Sequence, residues 1–300
     1  MKARYVNPFT DFGFKKIFGE EASKPMLIDF LRSLLPETNI VDLTFKDKEK
    51  LGNAKLDRKA IYDIYCENNN GEKIIVELQK AKQNYFKDRT VYYSTFPIQE
   101  QAETGNWNYQ LKAVYCVGIL DFTFDEAKKT TKGEVLHTVQ LKDQHNQLFY
   151  DKLTFVYLEM PHFTKSEGEL VTRLDKWLYF IQYLEDFQDI PSIFKDDVFE
   201  QAFEKAEISN YTESERRDYE DSLKVYRDLK GVIDTAFDEG KLEGLIAGKL
   251  EGLIAGKQEG LEEGQLKSQL AIAKKLKDSG MDMVFIMEIT GLSAAQIALL

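Results

Sequence analysis

The segment Ala60–Lys82, AIYDIYCENNNGEKIIVELQKAK, limits the possible folds more than any other part of the chain. β-Branched and aromatic residues stand on both sides of Asn68-Asn69-Asn70-Gly71: Ile61, Tyr62, Ile64 and Tyr65 before it, Ile74, Ile75 and Val76 after it. Two strands joined by a tight turn are the expected result. Two carboxylates interrupt this apolar pattern. Asp63 lies within the first run and Glu77 closes the second. Gln79 follows Glu77 by two, so a strand puts both on one face.

The register decides what these acids can do. A three-residue loop, Asn69 to Gly71 with Gly71 left-handed, pairs Asn68 with Glu72 and sets Asp63 opposite Glu77. Directly opposed residues share a face, with Cβ atoms roughly 4.5–5.5 Å apart. Two anions at that separation repel and call for a cation between them. A two-residue Asn70-Gly71 loop would instead pair Asp63 with Leu78 and divide the acids between faces.

An Asp, a hairpin and then Glu-x-Lys is the layout of PD-(D/E)XK phosphodiesterases. The wider sequence resembles the Rpn family of recombination-promoting nucleases and transposases within that superfamily. The resemblance rests on NPFTDFGFKKIFG (Asn7–Gly19), DRKAIYDIYC (Asp57–Cys66), IVELQKAKQNYFKDRTVYY (Ile75–Tyr93), WNYQLKAVYCVGILDF (Trp107–Phe122) and LDKWLYFIQYL (Leu174–Leu184). It covers about the first two-thirds of the chain. Here Gln79 stands where the superfamily usually has Lys.

The resemblance implies an α/β (α+β) fold: a restriction-endonuclease-like mixed sheet flanked by helices, with a helical C-terminal extension. It implies a metal-dependent DNA endonuclease that promotes recombination or transposition-like events, with DNA as partner and Mg²⁺ or Mn²⁺ as cofactor. Asp63 and Glu77 would hold the ion with the Leu78 carbonyl. Gln79 would orient water, with Lys80 or Lys82 supplying charge nearby. Arg58, Lys82, Arg89 and Tyr93 are candidates for phosphate contact. Asp11 and Lys15 read either as polar support from an opening helix or as a cap and a solvated lysine. The alternatives are a scaffold without turnover that binds DNA as an accessory, and an oligomerising interaction protein.

Charge bears on the partner. The net charge of −11 argues at first against nucleic acid. Residues 1–190 hold 26 Lys and Arg against 29 Asp and Glu, whereas residues 191–300 hold 14 against 22. From Lys46 to Arg89 the balance turns basic, 11 to 8. The excess acid thus lies away from the proposed chemistry. Cys66 and Cys116 are the only cysteines, which excludes a zinc site built on cysteine and fits a reduced, cytoplasmic protein. No basic-then-apolar leader opens the sequence, and the apolar run Val114–Leu120 is too short to cross a membrane.

Along the chain, Thr10 or Asp11 is placed to cap a first helix. A second helix is expected from Lys24 to Leu35, and a strand over Ile40–Phe45. A charged loop over Asn53–Lys59 precedes the hairpin. Gln83–Gln101 reads as a helix with Phe86, Val91 and Phe96 inward and a kink or break at Pro97. Leu111–Phe122 and Phe155–Met160 read as buried strands, and Glu134–Leu148 as strand and loop. Glu167–Leu184 reads as an amphipathic helix. His137, His145 and His162 have no metal-ligand spacing and read as structural or exposed.

These features divide the chain into a nuclease-like domain (1–190), a charged helical segment (191–237), a repeat (238–266) and a small helical module (267–300). In the repeat, glycine recurs every fourth residue from Gly240 to Gly264, seven in all. At roughly 0.8–1 kcal/mol each, they cost an isolated helix about 6 kcal/mol. The repeat is therefore a marginal helix: either one that oligomerises through small-residue contacts or a low-complexity linker. Helices are expected at Lys267–Lys277, Met281–Ile289 and Ala294–Leu300. The last has no Lys or Arg, so a protein-binding module fits better than a base-reading one.

Overall fold

The structure is a computed structural model that describes residues 3–50, 60–124 and 133–300. The loop expected at 53–59, with Arg58, lies outside the described residues. Helix α1 (Asp11–Phe18) begins where the Thr10 hydroxyl accepts the Gly13 N–H at 3.0 Å, so Thr10 is the cap and Asp11 the first helical residue. Helix α2 (Lys24–Leu34) buries Met26, Leu27, Phe30, Leu31 and Leu34 along one stripe.

Among the described residues eight strands follow in chain order: β1 (Leu43–Phe45), β2 (Glu49–Lys50), β3 (Ala60–Ile61), β4 (Ile64–Asn68), β5 (Lys73–Gln79), β6 (Val114–Leu120), β7 (Leu136–Lys142) and β8 (Leu148–Glu159). Six form one mixed sheet in the order β1-β4-β5-β6-β8-β7. Strands β5, β6 and β8 run parallel, and the remaining pairs are antiparallel. Strands β2 and β3 form a separate ribbon. Helix α3 (Phe86–Gln99) supplies the crossover between β5 and β6. This is a mixed sheet flanked by helices, as a restriction-endonuclease-like fold requires.

Alternation along the strands feeds two cores. One face carries Ile64, Cys66, Ile74, Val76, Leu78, Val117, Ile119, Val156 and Leu158. It packs with α1, α2, α4 (Arg173–Tyr183) and α5 (Asp197–Ala206). The other face carries Tyr65, Ile75, Cys116, Phe155 and Tyr157, beneath Phe86 of α3. Trp177, Leu178 and Ile181 of α4 are core residues. Phe194, Phe199, Phe203, Tyr211, Tyr219 and Tyr226 join the same core, so the aromatic residues of the charged segment after 190 complete the sheet's cover.

Helix α3 departs from its expected face. Val91 is 52% exposed, while Thr90, Ser94 and Pro97 are buried. The Thr90 hydroxyl lies 2.8 Å from the Tyr157 hydroxyl, which gives this polar position a partner against the sheet. Pro97 does not end the helix, which runs to Gln99. Proline has no N–H to give the Tyr93 carbonyl; that oxygen accepts the Tyr62 hydroxyl at 3.0 Å instead. The bond ties α3 to the residue before Asp63.

The chain separates into two compact units, Met1–Gly231 and Val232–Leu300. Helix α6 (Glu213–Asp278) contributes its first turns to the first unit and the remainder to the second. All seven repeat glycines lie inside this helix, with the neighbouring Leu242, Leu245, Ile246, Leu250, Leu253 and Ile254 exposed. Leu, Ala, Glu and Lys between the glycines are strong helix formers, and a long helix propagates once nucleated. In the second unit, α7 (Met283–Thr290) and α8 (Ala294–Ala298) close a small core of Ala273, Ile286, Leu292 and Ile297. The helix expected at 267–277 is the end of α6. Ser293 caps α8 through a box with Gln296. Among the described residues no helix is long and apolar enough to cross a membrane.

Candidate active site

The turn has the three-residue form. Asn68 N–H donates to the Glu72 carbonyl at 3.0 Å, Gly71 N–H to the Asn68 carbonyl at 2.9 Å, and Gly71 has φ +79°. The β4–β5 ladder then runs from Glu67–Lys73 to Ile64–Val76 and stops. Continued one step further, this register would set Asp63 opposite Glu77.

The ladder stops because the chain bends. Tyr62 N–H turns away from β5 and donates to the Lys48 carbonyl at 3.0 Å, extending the β2–β3 ribbon. The Leu78 N–H, which an unbroken ladder would have given to β4, donates to the Asp63 carboxylate at 2.7 Å. In return, Asp63 N–H donates to the Glu77 carboxylate at 3.3 Å. Each acid therefore takes a main-chain donor from the opposite arm of the hairpin.

Burial sets the electrostatics. Glu77 is 8% exposed, and burial pushes its carboxyl up to about 8. The charge of Asp63 adds to the shift, while Arg89, the Asp63 N–H and Lys15 oppose it. Asp63 is also raised by burial; the Leu78 N–H lowers it, Asp11 raises it, and Lys15 and Lys80 lower it. Neither acid ionises easily beside the other, so the site accepts a cation more readily than a second negative charge.

The other sequence candidates lie as follows. Lys15 and Asp11 form an ion pair at 2.9 Å on α1, and both charges act on Asp63. Arg89 of α3 donates to the Gln83 side chain at 2.6 Å and lies over the Phe86 and Tyr93 rings. The Tyr93 hydroxyl is raised chiefly by burial; Arg89 lowers it and Glu77 raises it. Gln79 is 9% exposed, and its carbonyl accepts the Asp121 N–H at 2.9 Å. Lys82 is exposed in the loop before α3.

Sequence reasoning missed Lys48, whose carbonyl holds the bend and whose ammonium feels Asp63 and Asp11. It also missed Gly118. A Cβ there would meet the Tyr157 ring at 3.0 Å, in a pocket wall shared with Glu77, Thr90 and Tyr93. Neither residue carries a local signal, because each matters through a partner distant in sequence.

The remaining reactive groups lie elsewhere. Both cysteines are buried, and burial pushes the Cys66 thiol up to about 12. His145 is exposed. His137 and His162 flank the fully buried Glu159, with nitrogen–oxygen distances of 3.4 and 3.3 Å, which gives these two a structural place. Among the described residues no group of three or more His, Cys, Asp and Glu is arranged to hold a metal. An ion at the hairpin would take two carboxylates, main-chain oxygen and water, a hard-oxygen set suited to Mg²⁺ or Mn²⁺. A groove of about 820 Å³, lined in part by Arg4, Arg216 and Tyr219, shares no residue with this site.

Residues 8–236 match the sequence profile of the PD-(D/E)XK nuclease family transposase. The chain belongs to that family. No curated protein and no solved structure matches it. The profile spans the sheet, its covering helices and the first turns of α6. Membership in a PD-(D/E)XK family supports a nuclease-like or transposase-associated function, with DNA as the substrate the family points to. Nucleases of this superfamily generally use divalent ions.

Proposed function

We propose that the chain is a divalent-metal-dependent DNA endonuclease whose centre is Asp63, Glu77 and Gln79, acting in recombination or transposition-like events. The crossed hydrogen bonds between the two arms of the hairpin carry this reading, because they bring the buried Glu77 and the half-buried Asp63 together at a sheet end. Asp63 and Glu77 offer carboxylate oxygens to Mg²⁺ or Mn²⁺. In a strand the N–H and C=O of one residue face the same way, so the Leu78 carbonyl shares the edge on which its N–H meets Asp63. A bound ion would lower the pKa of water and offset charge on the phosphate.

Gln79 lies two residues beyond Glu77 on the same face, where its amide can orient water by hydrogen bonds without adding charge. Arg89 is held between aromatic rings and acts on Glu77. In this reading Arg89, Tyr93 and Lys82 meet the DNA backbone, while Asp11 and Lys15 support Asp63 from α1. Purified chain with supercoiled plasmid and Mg²⁺, beside Asp63→Ala and Glu77→Ala, tests the proposal. Nicked or linear product that disappears in both variants supports it.

The neutral Gln79 favours a second reading, a DNA-binding accessory that does not cleave. Band shifts without product would establish that reading over the first. Absence of both, with oligomers lost on truncation at Ala236, would favour an interaction protein acting through the C-terminal repeat.

A further inference from the structure

The turn that joins β5 to α3 holds a residue that its backbone does not suit. Phe86 N–H donates to the Gln83 carbonyl at 3.3 Å, so Asn84 and Tyr85 are the central residues of a tight turn. Tyr85 has φ +62° and ψ +26°, the left-handed conformation. A turn that needs positive φ at its third position ordinarily takes Gly or Asn there, because a larger side chain crowds the backbone. Here the position carries a bulky aromatic residue, and Tyr85 is 81% exposed.

The backbone on both sides is fixed. Phe86 is buried, edge-on to Phe122 and Tyr157 at 5.9 Å each. Arg89 N–H donates to the Tyr85 carbonyl at 2.9 Å, and the Arg89 guanidinium donates to the Gln83 side chain at 2.6 Å. The ring is therefore presented to solvent from a braced turn. Among the described residues its hydroxyl has no hydrogen-bond partner and its face meets no other ring. Tyr109 makes the comparison. It is 78% exposed with φ +60°, yet its ring packs on Trp107 at 4.8 Å. Tyr85 shares that backbone and that exposure without the covering ring.

Its place in the chain points to what would cover it. Tyr85 follows Gln79 by six residues, at most about 20 Å of chain. Lys82 and Lys87, on either side of it, are exposed as well. An exposed aromatic face flanked by cations is a surface on which an unpaired base stacks while its phosphates stay near the lysines. Paired bases are already covered by their neighbours, so a duplex gains little there.

We infer that Tyr85 is a base-stacking residue that holds an unpaired nucleotide of a DNA strand beside the sheet end that carries Asp63 and Glu77. The subsite rests on the nuclease reading for its ligand, and it narrows that ligand to single-stranded or splayed DNA. Tyr85 touches the base and so fixes where the strand lies.

The test uses the full chain in EDTA. Two fluorescein-labelled probes of one sequence, single-stranded and duplex, are followed by anisotropy across a salt series. A further single-stranded probe carries a fluorescent purine analogue whose emission is quenched on stacking. The variants are Tyr85→Phe, Tyr85→Trp, Tyr85→Ala, Tyr85→Gly and Tyr109→Ala. Single-stranded affinity should fall about tenfold in Tyr85→Ala and Tyr85→Gly with the salt slope unchanged, because stacking releases no counterions. Tyr85→Phe and Tyr85→Trp should keep it, Tyr109→Ala should match the parent, and quenching should follow the same order. Duplex affinity should stay the same in all five. Tyr85→Gly relieves the left-handed backbone, so its melting midpoint should be no lower than that of the parent, and unfolding cannot then explain its loss of binding.

Equal single-stranded affinity in the parent, Tyr85→Ala and Tyr85→Gly would overturn the subsite and leave the nuclease reading standing. A loss of equal size on duplex and single strand, or one shared by Tyr109→Ala, would also overturn it. A parent chain that binds neither probe would overturn the subsite and the DNA reading together.

Discussion

The main-chain N–H of Asp63 donates to the Glu77 carboxylate at 3.3 Å, across the open end of a hairpin whose ladder stops one residue earlier. With the Leu78 N–H on Asp63, this fixes both acids from the backbone. Their chemistry therefore depends on the bend at Tyr62, and the bend depends on the Lys48 carbonyl.

The first prediction concerns pH. The Glu77 carboxyl is raised by burial from 4.5 to about 8. An acid raised on folding binds extra protons in the folded state, so its contribution to stability falls as pH climbs from 4.5 to 8. Glu77→Gln should match the parent chain near pH 5 and exceed it by roughly 2–4 kcal/mol near pH 9 without metal. Thermal unfolding in EDTA across that range checks this; a variant less stable at high pH would contradict it.

Gln79→Lys adds the charge that Gln79 lacks. Plasmid cleavage should accelerate by about tenfold with divalent-ion affinity within about threefold of the parent. Loss of cleavage with metal still bound would refute the role given to Gln79.

Gly118→Ala brings a methyl group to 3.0 Å from the Tyr157 ring, whose hydroxyl is held by Thr90. The ring must move within a packed layer, at about 1–3 kcal/mol. Urea unfolding should show that loss, whereas a neutral result would mean the layer beside Glu77 is looser than the contacts require.

Gly244, Gly252 and Gly260 have open space where a Cβ would stand. Replacing all three with Ala should stabilise the second unit by about 2–3 kcal/mol through helix propensity alone. Circular dichroism melts measure the gain. Destabilisation accompanied by loss of oligomers would show instead that the glycines pack against another chain.

Much of this was legible in the sequence. Asn68–Gly71 set the loop length, and loop length sets which residues face each other, so the β4–β5 register from Glu67–Lys73 to Ile64–Val76 followed from local rules. The α4 stripe and the Thr10 cap were equally local. The bend was not, because it needs Tyr62 to find Lys48 in a segment with no strand pattern of its own. Val91 misled because periodicity assumes an apolar inner face, whereas α3 packs with Thr90 and Ser94. The glycine cost of the repeat was summed for an isolated helix, whereas α6 extends well beyond the repeat at both ends. The burial of Glu159 between two histidines also had no signal, since β7 and the turn after β8 meet only in the fold.

The most direct test is calorimetric titration of Mn²⁺ into the full chain, Asp63→Asn and Glu77→Gln at one pH. One ion per chain in the parent, lost or weakened at least tenfold in each variant, is the predicted result. Binding of equal strength in all three proteins would mean that the two acids do not share an ion, and the nuclease centre would have to be sought elsewhere.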